Sequence, residues 1–210
     1  MAAKIDWIKE LRPLLKKYNG RKHPLNYNSI YEMLVMTILA ARDSDRRINE
    51  KAPALFKCIP DMKSLSRAKE EDILPLVKGI VNYRNKTKWL LEIGRLIKDD
   101  KNIPFTLEEM TKLPGIGRKS ANVIMHAAKA KSEGVMVDLH VVRVAPRLGM
   151  VTTSNPEKIE SQLMEIIPQK VWGNVGMGLS FLGREICRPQ KPKCEECMMN
   201  KVCGFYQMRK

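Results

Sequence analysis

What this sequence lacks narrows it first. No stretch approaches the 18 or more uncharged apolar residues that a membrane-spanning helix needs, and the longest candidate, Met33–Ala41, is far shorter. Near the start, Lys4, Asp6, Lys9, Glu10 and Arg12 interrupt the apolar residues. The continuous apolar segment of a signal peptide is therefore missing, and a cytoplasmic location is expected. Low-complexity tracts are absent, as are repeats at the periods that mark solenoids. Convincing period-two strands are absent too, which argues against a sheet protein. The five cysteines are few and unevenly placed: Cys58 stands alone, while Cys187, Cys194, Cys197 and Cys203 crowd together near the end. A secreted disulfide framework is not spaced this way.

Acidic side chains are also in the minority. Lys and Arg number 38 against 23 Asp and Glu, a formal charge of +15, which favours a polyanionic partner. The 210 residues suffice for one domain, or two small ones sharing a boundary. Periodicity is helical nearly throughout. Ile5, Ile8, Leu11, Leu14 and Leu15 recur at three- and four-residue steps, with Pro13 expected to bend or reset that helix. Ser29 with Glu32, and Thr106 with Glu109, are capping boxes that start helices. Asp43 or Ser44 is expected to cap a helix through Phe56, and Asn155 before Pro156 marks a helix to Ile167. Beyond residue 186 the tail is too poor in apolar side chains to build its own core, so a metal centre is the expected source of order.

Three groups of residues carry candidate chemistry. Four thiolates at Cys187, Cys194, Cys197 and Cys203 can converge on one point, and soft sulfur ligands suit zinc or an iron-sulfur centre. Arg188, Lys191 and Lys193 in the intervening loop would present positive charge to phosphates. Cys58 reads as an ordinary buried thiol. In Leu113-Pro114-Gly115-Ile116-Gly117-Arg118-Lys119, Pro114 and Gly115 suit the middle of a type II turn, and bare amides before the next helix suit a phosphate. Lys119 sits in the first turn of that helix, where the dipole disfavours a cation. It reads either as a neutral amine nucleophile or as a point charge on phosphate. Asp138 opens Val137-Asp138-Leu139-His140-Val141-Val142-Arg143-Val144, either as a helix cap or as a carboxylate placed to steady a cationic intermediate.

Together these segments, with the cysteine spacing, resemble the endonuclease III group of the helix-hairpin-helix DNA glycosylases, in family order, from about Leu25 to Tyr206. The resemblance implies an all-α fold of two lobes flanking a DNA groove. One lobe would be a six-helix barrel over 23–132; the other would join 1–22 to 133–210 and carry a four-iron, four-sulfur (4Fe-4S) cluster on the four cysteines. It implies a monomer acting on damaged double-stranded DNA. Lys119 would attack C1′ to expel a base and nick the strand by β-elimination, with Asp138 assisting. Leu113, Gly115, Ile116 and Gly117 would line the DNA-binding hairpin. Arg42 stands where the family often has a glutamine that fills the gap left by the extruded base, and Ile80 or Asn82 would be the intercalating wedge. Oxidised pyrimidines are the expected substrates; a monofunctional glycosylase for mismatched or alkylated bases is the alternative.

Overall fold

In the computed structural model, which describes residues 5–209, every regular element is helical and no strand occurs among the described residues. In chain order the α-helices are α1 (Trp7–Glu10), α2 (Arg12–Tyr18), α3 (Ile30–Ala40), α4 (Asp45–Cys58), α5 (Met62–Arg67), α6 (Glu70–Val77), α7 (Tyr83–Ile97), α8 (Leu107–Lys112), α9 (Arg118–Ala127), α10 (Leu139–Leu148), α11 (Pro156–Ile166), α12 (Trp172–Glu185) and α13 (Gly204–Gln207). The expected all-α class holds.

Local chemistry sets most helix starts. The side chains of Ser29, Ser44, Thr106, Asp138 and Asn155 each accept from an amide in the first turn of α3, α4, α8, α10 and α11. Pro13 sits at the start of α2 and separates it from α1, because proline has no amide to continue the α1 hydrogen bonds and its ring fits best in a helix's first turn. Cys58 departs from expectation: it is exposed. The buried stripe of α4 runs through Ile48, Ala52 and Leu55 to Ile59, and Cys58 lies off that stripe.

The chain divides into two compact units. One is Lys22–Ala130; the other joins the residues before Lys22 to those from Lys131 onward. At the centre of the first unit is α3, buried from Met33 through Leu39, with the Tyr31 hydroxyl donating to the Ile59 carbonyl at 2.8 Å. A helix apolar on all sides is stable only when neighbours surround it. In the second unit α12 takes the central place, packed on α2 and α10. Gly183 is what permits the close approach to α10: a Cβ there would lie 2.7 Å from His140 Cβ and 3.0 Å from Val144 Cγ2.

Candidate active site and nucleic-acid interface

The Lys119 segment is a helix, a tight turn and a helix, all within the Lys22–Ala130 unit. The turn between α8 and α9 is closed by the Ile116 amide donating to the Leu113 carbonyl at 3.2 Å, with Gly115 in the left-handed region at φ 77°. Only glycine adopts that conformation without cost, and here a Cβ would also strike the Trp89 ring at 2.6 Å. Leu113 and Ile116 are buried and hold the turn from below, while Gly115 and Gly117 are exposed. Gly117 is the residue before α9, so the bare backbone and the positive end of the α9 dipole coincide. Lys119 is exposed in the first turn of α9.

Two further turns of this unit carry Arg42 and Asn82. The Asp43 amide donates to the Ala40 carbonyl at 3.0 Å, Ala41 lies at φ −57° and ψ 115°, and Arg42 at φ 60°, which makes a type II turn with arginine where glycine is usual. The Tyr83 amide likewise donates to the Ile80 carbonyl at 3.1 Å, with Asn82 at φ 59°. Ile80 is 2 % exposed and belongs to the core, whereas Val81 and Asn82 stand outward. A non-glycine residue in this region costs about 1–2 kcal/mol, so the surroundings must hold it there. Lys86 does part of this. It is 1 % exposed, and its ammonium donates to the Leu39 and Ala41 carbonyls at 2.7 Å each. Burial pushes the Lys86 pKa down, and the Asp43 carboxylate opposes that shift. Burial works against the Asp43 carboxylate as well, but amide bonds from Val81 and Ser44, with Arg47 and Lys86 nearby, hold its pKa below the ordinary range.

Asp138, in the other unit, is half-buried with both oxygens engaged. Oδ1 accepts from the His140 and Val141 amides at 2.8 and 2.9 Å, and Oδ2 accepts from the Ser180 hydroxyl at 2.6 Å. No local pattern in the sequence marks Ser180, which comes from α12 and is buried. The carboxylate is thereby fixed in one orientation at the positive end of α10. Further along α10, Arg143 donates to the Gly183 and Cys187 carbonyls, and Arg147 to those of Arg188 and Pro189. The helix that Asp138 caps therefore also secures the start of the cysteine loop.

The chain as a whole is similar to known proteins. Residues 35–169, a span that takes in Lys119 and Asp138, match the model of the HhH-GPD superfamily of base excision DNA repair proteins. Endonuclease III of Synechocystis sp. is 37 % identical over 210 residues, covering 99 % of this chain and 96 % of its own. Endonuclease III of Thermotoga maritima is 36 % identical, covering 96 % and 94 %. The chain belongs to the endonuclease III family. It is, accordingly, a base excision repair DNA glycosylase. The solved structure of a trapped endonuclease III–DNA covalent intermediate, an estranged-adenine complex, superposes with a TM-score of 0.84 at 28 % identity and covers 96 % of each chain.

In this endonuclease III family member the four tail cysteines are free of disulfides and line one cavity, whose other walls include Leu148, Leu182, Ile186 and Phe205. Burial pushes the Cys197 and Cys203 thiols up, and the other sulfurs of the group add to that shift. Cys187 Sγ lies 3.6 Å from Arg147 Nη1, and Cys203 Sγ lies 3.4 Å from the Arg147 carbonyl. Among the described residues no three His, Cys, Asp or Glu are gathered tightly enough for a single metal ion. A four-iron cube puts each thiolate on a different iron, so its ligands stand farther apart than those of one ion. An apolar cavity lined by four sulfurs suits such a group. Arg188, Lys191 and Lys193 are exposed on the same loop, and Lys193 is paired with Glu196 at 3.3 Å. Among the described residues no helix is long and apolar enough to cross a membrane.

Proposed function

We propose that this protein excises damaged bases of the oxidised-pyrimidine class from double-stranded DNA and then cleaves the abasic strand by β-elimination. The observation that carries this reading is an exposed lysine, Lys119, in the first turn of α9 directly behind an exposed glycine hairpin. The hairpin amides hold a backbone phosphate without reading sequence. The extruded nucleotide then presents C1′ to the Lys119 amine in its unprotonated form. Nζ bonds to C1′, the glycosidic bond breaks and the base departs, taking up a proton. The C1′–O4′ bond then breaks, O4′ takes up a proton and the opened sugar carries an imine at C1′. The imine acidifies C2′, and loss of that proton breaks the C3′–O bond and nicks the strand. Asp138 steadies the positive charge that develops on the sugar, with Ser180 and the α10 amides holding its carboxylate in place. A relative trapped as a covalent DNA intermediate supports the imine.

Arg42 is proposed to occupy the gap left by the base, and the Val81–Asn82 turn to act as the wedge, since Ile80 faces inward. Cys187, Cys194, Cys197 and Cys203 would hold a four-iron, four-sulfur cluster that, when bound, supplies the anchoring of a loop whose Arg188 and Lys191 reach phosphates. The acting species is proposed to be a monomer in the cytoplasm.

Borohydride trapping tests the reading. An abasic duplex mixed with the protein should yield a covalent complex that Lys119→Ala loses while its duplex affinity stays within about threefold, because one phosphate-scale contact is at stake. A crosslink that survives Lys119→Ala would overturn the assignment. Base release with no nick until alkali is added would favour the monofunctional alternative.

A further inference from the structure

The turns that present Arg42 and Asn82 are far apart in sequence, yet three side chains tie them together. Asp43 Oδ1 accepts from the Ser44 amide at 2.7 Å, and its Oδ2 accepts from the Val81 amide at 2.8 Å. From the other side Lys86 returns to the Leu39 and Ala41 carbonyls, and Arg47 donates to the Gly79 carbonyl at 3.4 Å. The Asp43 side chain is only 3 % exposed. Burying a carboxylate and an ammonium is costly, and an idle surface turn has no need of either. Two left-handed, non-glycine tips held this way have the mark of a constrained functional element.

We propose that Asp43 is a positioning residue that locks the Arg42 and Val81–Asn82 turns into a single two-pronged probe, so that both prongs enter a damaged duplex together. This rests on the reading above that these tips meet DNA. Asp43 touches no nucleotide itself, since both oxygens are taken by the chain. Its loss therefore impairs extrusion of the nucleotide and spares any step in which the strand is already open.

The full-length protein is titrated against a duplex carrying a non-cleavable abasic analogue beside 2-aminopurine, whose fluorescence rises on unstacking, and against the same strand alone. Asp43→Asn keeps the size of the side chain but cannot accept both amides in the same way. It should weaken duplex binding about tenfold, within the coupling range of contacting groups, and abolish the fluorescence rise. Single-strand affinity should stay near wild type, while the melting temperature falls because the Val81 amide and the buried Lys86 ammonium lose their partner. Adding Asn82→Ala to Asp43→Asn should cost no more than the worse single change, because both act through one probe. Additive losses, or an equal loss on single strands, would overturn the proposal. Should Asp43→Asn not fold, Asp43→Ser, which keeps one oxygen but is too short to accept both amides, is held to the same readings. If the wild type does not prefer the abasic duplex to intact DNA, the reading beneath the proposal fails and the proposal with it. If it does and Asp43→Asn matches it, only the clip fails.

Discussion

The turn at Gly115 and the turn at Arg42 bend the chain alike and are held by opposite means. At Gly115 the left-handed residue is a glycine, the conformation is free, and apolar packing does the rest: Leu113 and Ile116 are buried and Trp89 lies directly against the backbone. At Arg42 the left-handed residue is an arginine, which carries strain, and buried polar groups oppose that strain from segments some 40 residues away. One turn needs its neighbours for shape; the other needs them for conformation. A turn that offers only amides can be built from local residues. A turn that must display a long side chain at a sharp tip needs tertiary support.

The contrast can be broken at either end. Gly115→Ala is expected to have the largest effect, because the new Cβ meets Trp89 and cannot take the positive φ at ease. Roughly 2–4 kcal/mol should be lost, seen as a fall in melting temperature with the Arg42 turn left intact. Lys86→Met comes next. It removes the donor to two carbonyls and the cation beside Asp43, so about 2–3 kcal/mol of stability should go, and hydrogen exchange should quicken at the Val81 amide before it does at Ile116. Arg42→Gly is the smallest change and has the opposite sign. Relief of the left-handed strain should raise stability by roughly 0.5–1 kcal/mol while weakening binding to an abasic duplex, the mark of a residue kept for function. If Arg42→Gly instead lowered the melting temperature, the strain at that tip would be disproved.

How much was legible follows the same division. Pro114-Gly115 reads as a type II turn from the chain alone, because the residue types that the turn demands are themselves the turn residues. Ser29, Thr106, Asp138 and Asn155 read as helix starts for the same reason: the capping oxygen and the amide it satisfies lie within one turn. The short α5 and α6 carried no comparable periodic signal. Lys86 looks in sequence like one more solvated cation on α7, and nothing local shows that it is among the most buried residues of its unit. Cys58 misled in the other direction, a thiol that falls just off the apolar stripe of its helix. Ser180 lies in a run rich in glycine and apolar residues, and its bond to Asp138 spans 42 positions.

The sequence by itself determined the helical class, the basic surface charge, the hairpin ahead of Lys119, the cap at Asp138 and the grouping of four cysteines. Each of these depends on residue type and spacing within a few turns of chain. Only the tertiary structure decided that Ile80 turns inward and Asn82 outward, that Ser180 completes the hold on Asp138, and that Asp43 and Lys86 fasten two distant turns. Those outcomes depend on which buried donors find which acceptors. A buried polar group must be satisfied by whatever the fold brings to it, and local sequence does not specify that partner.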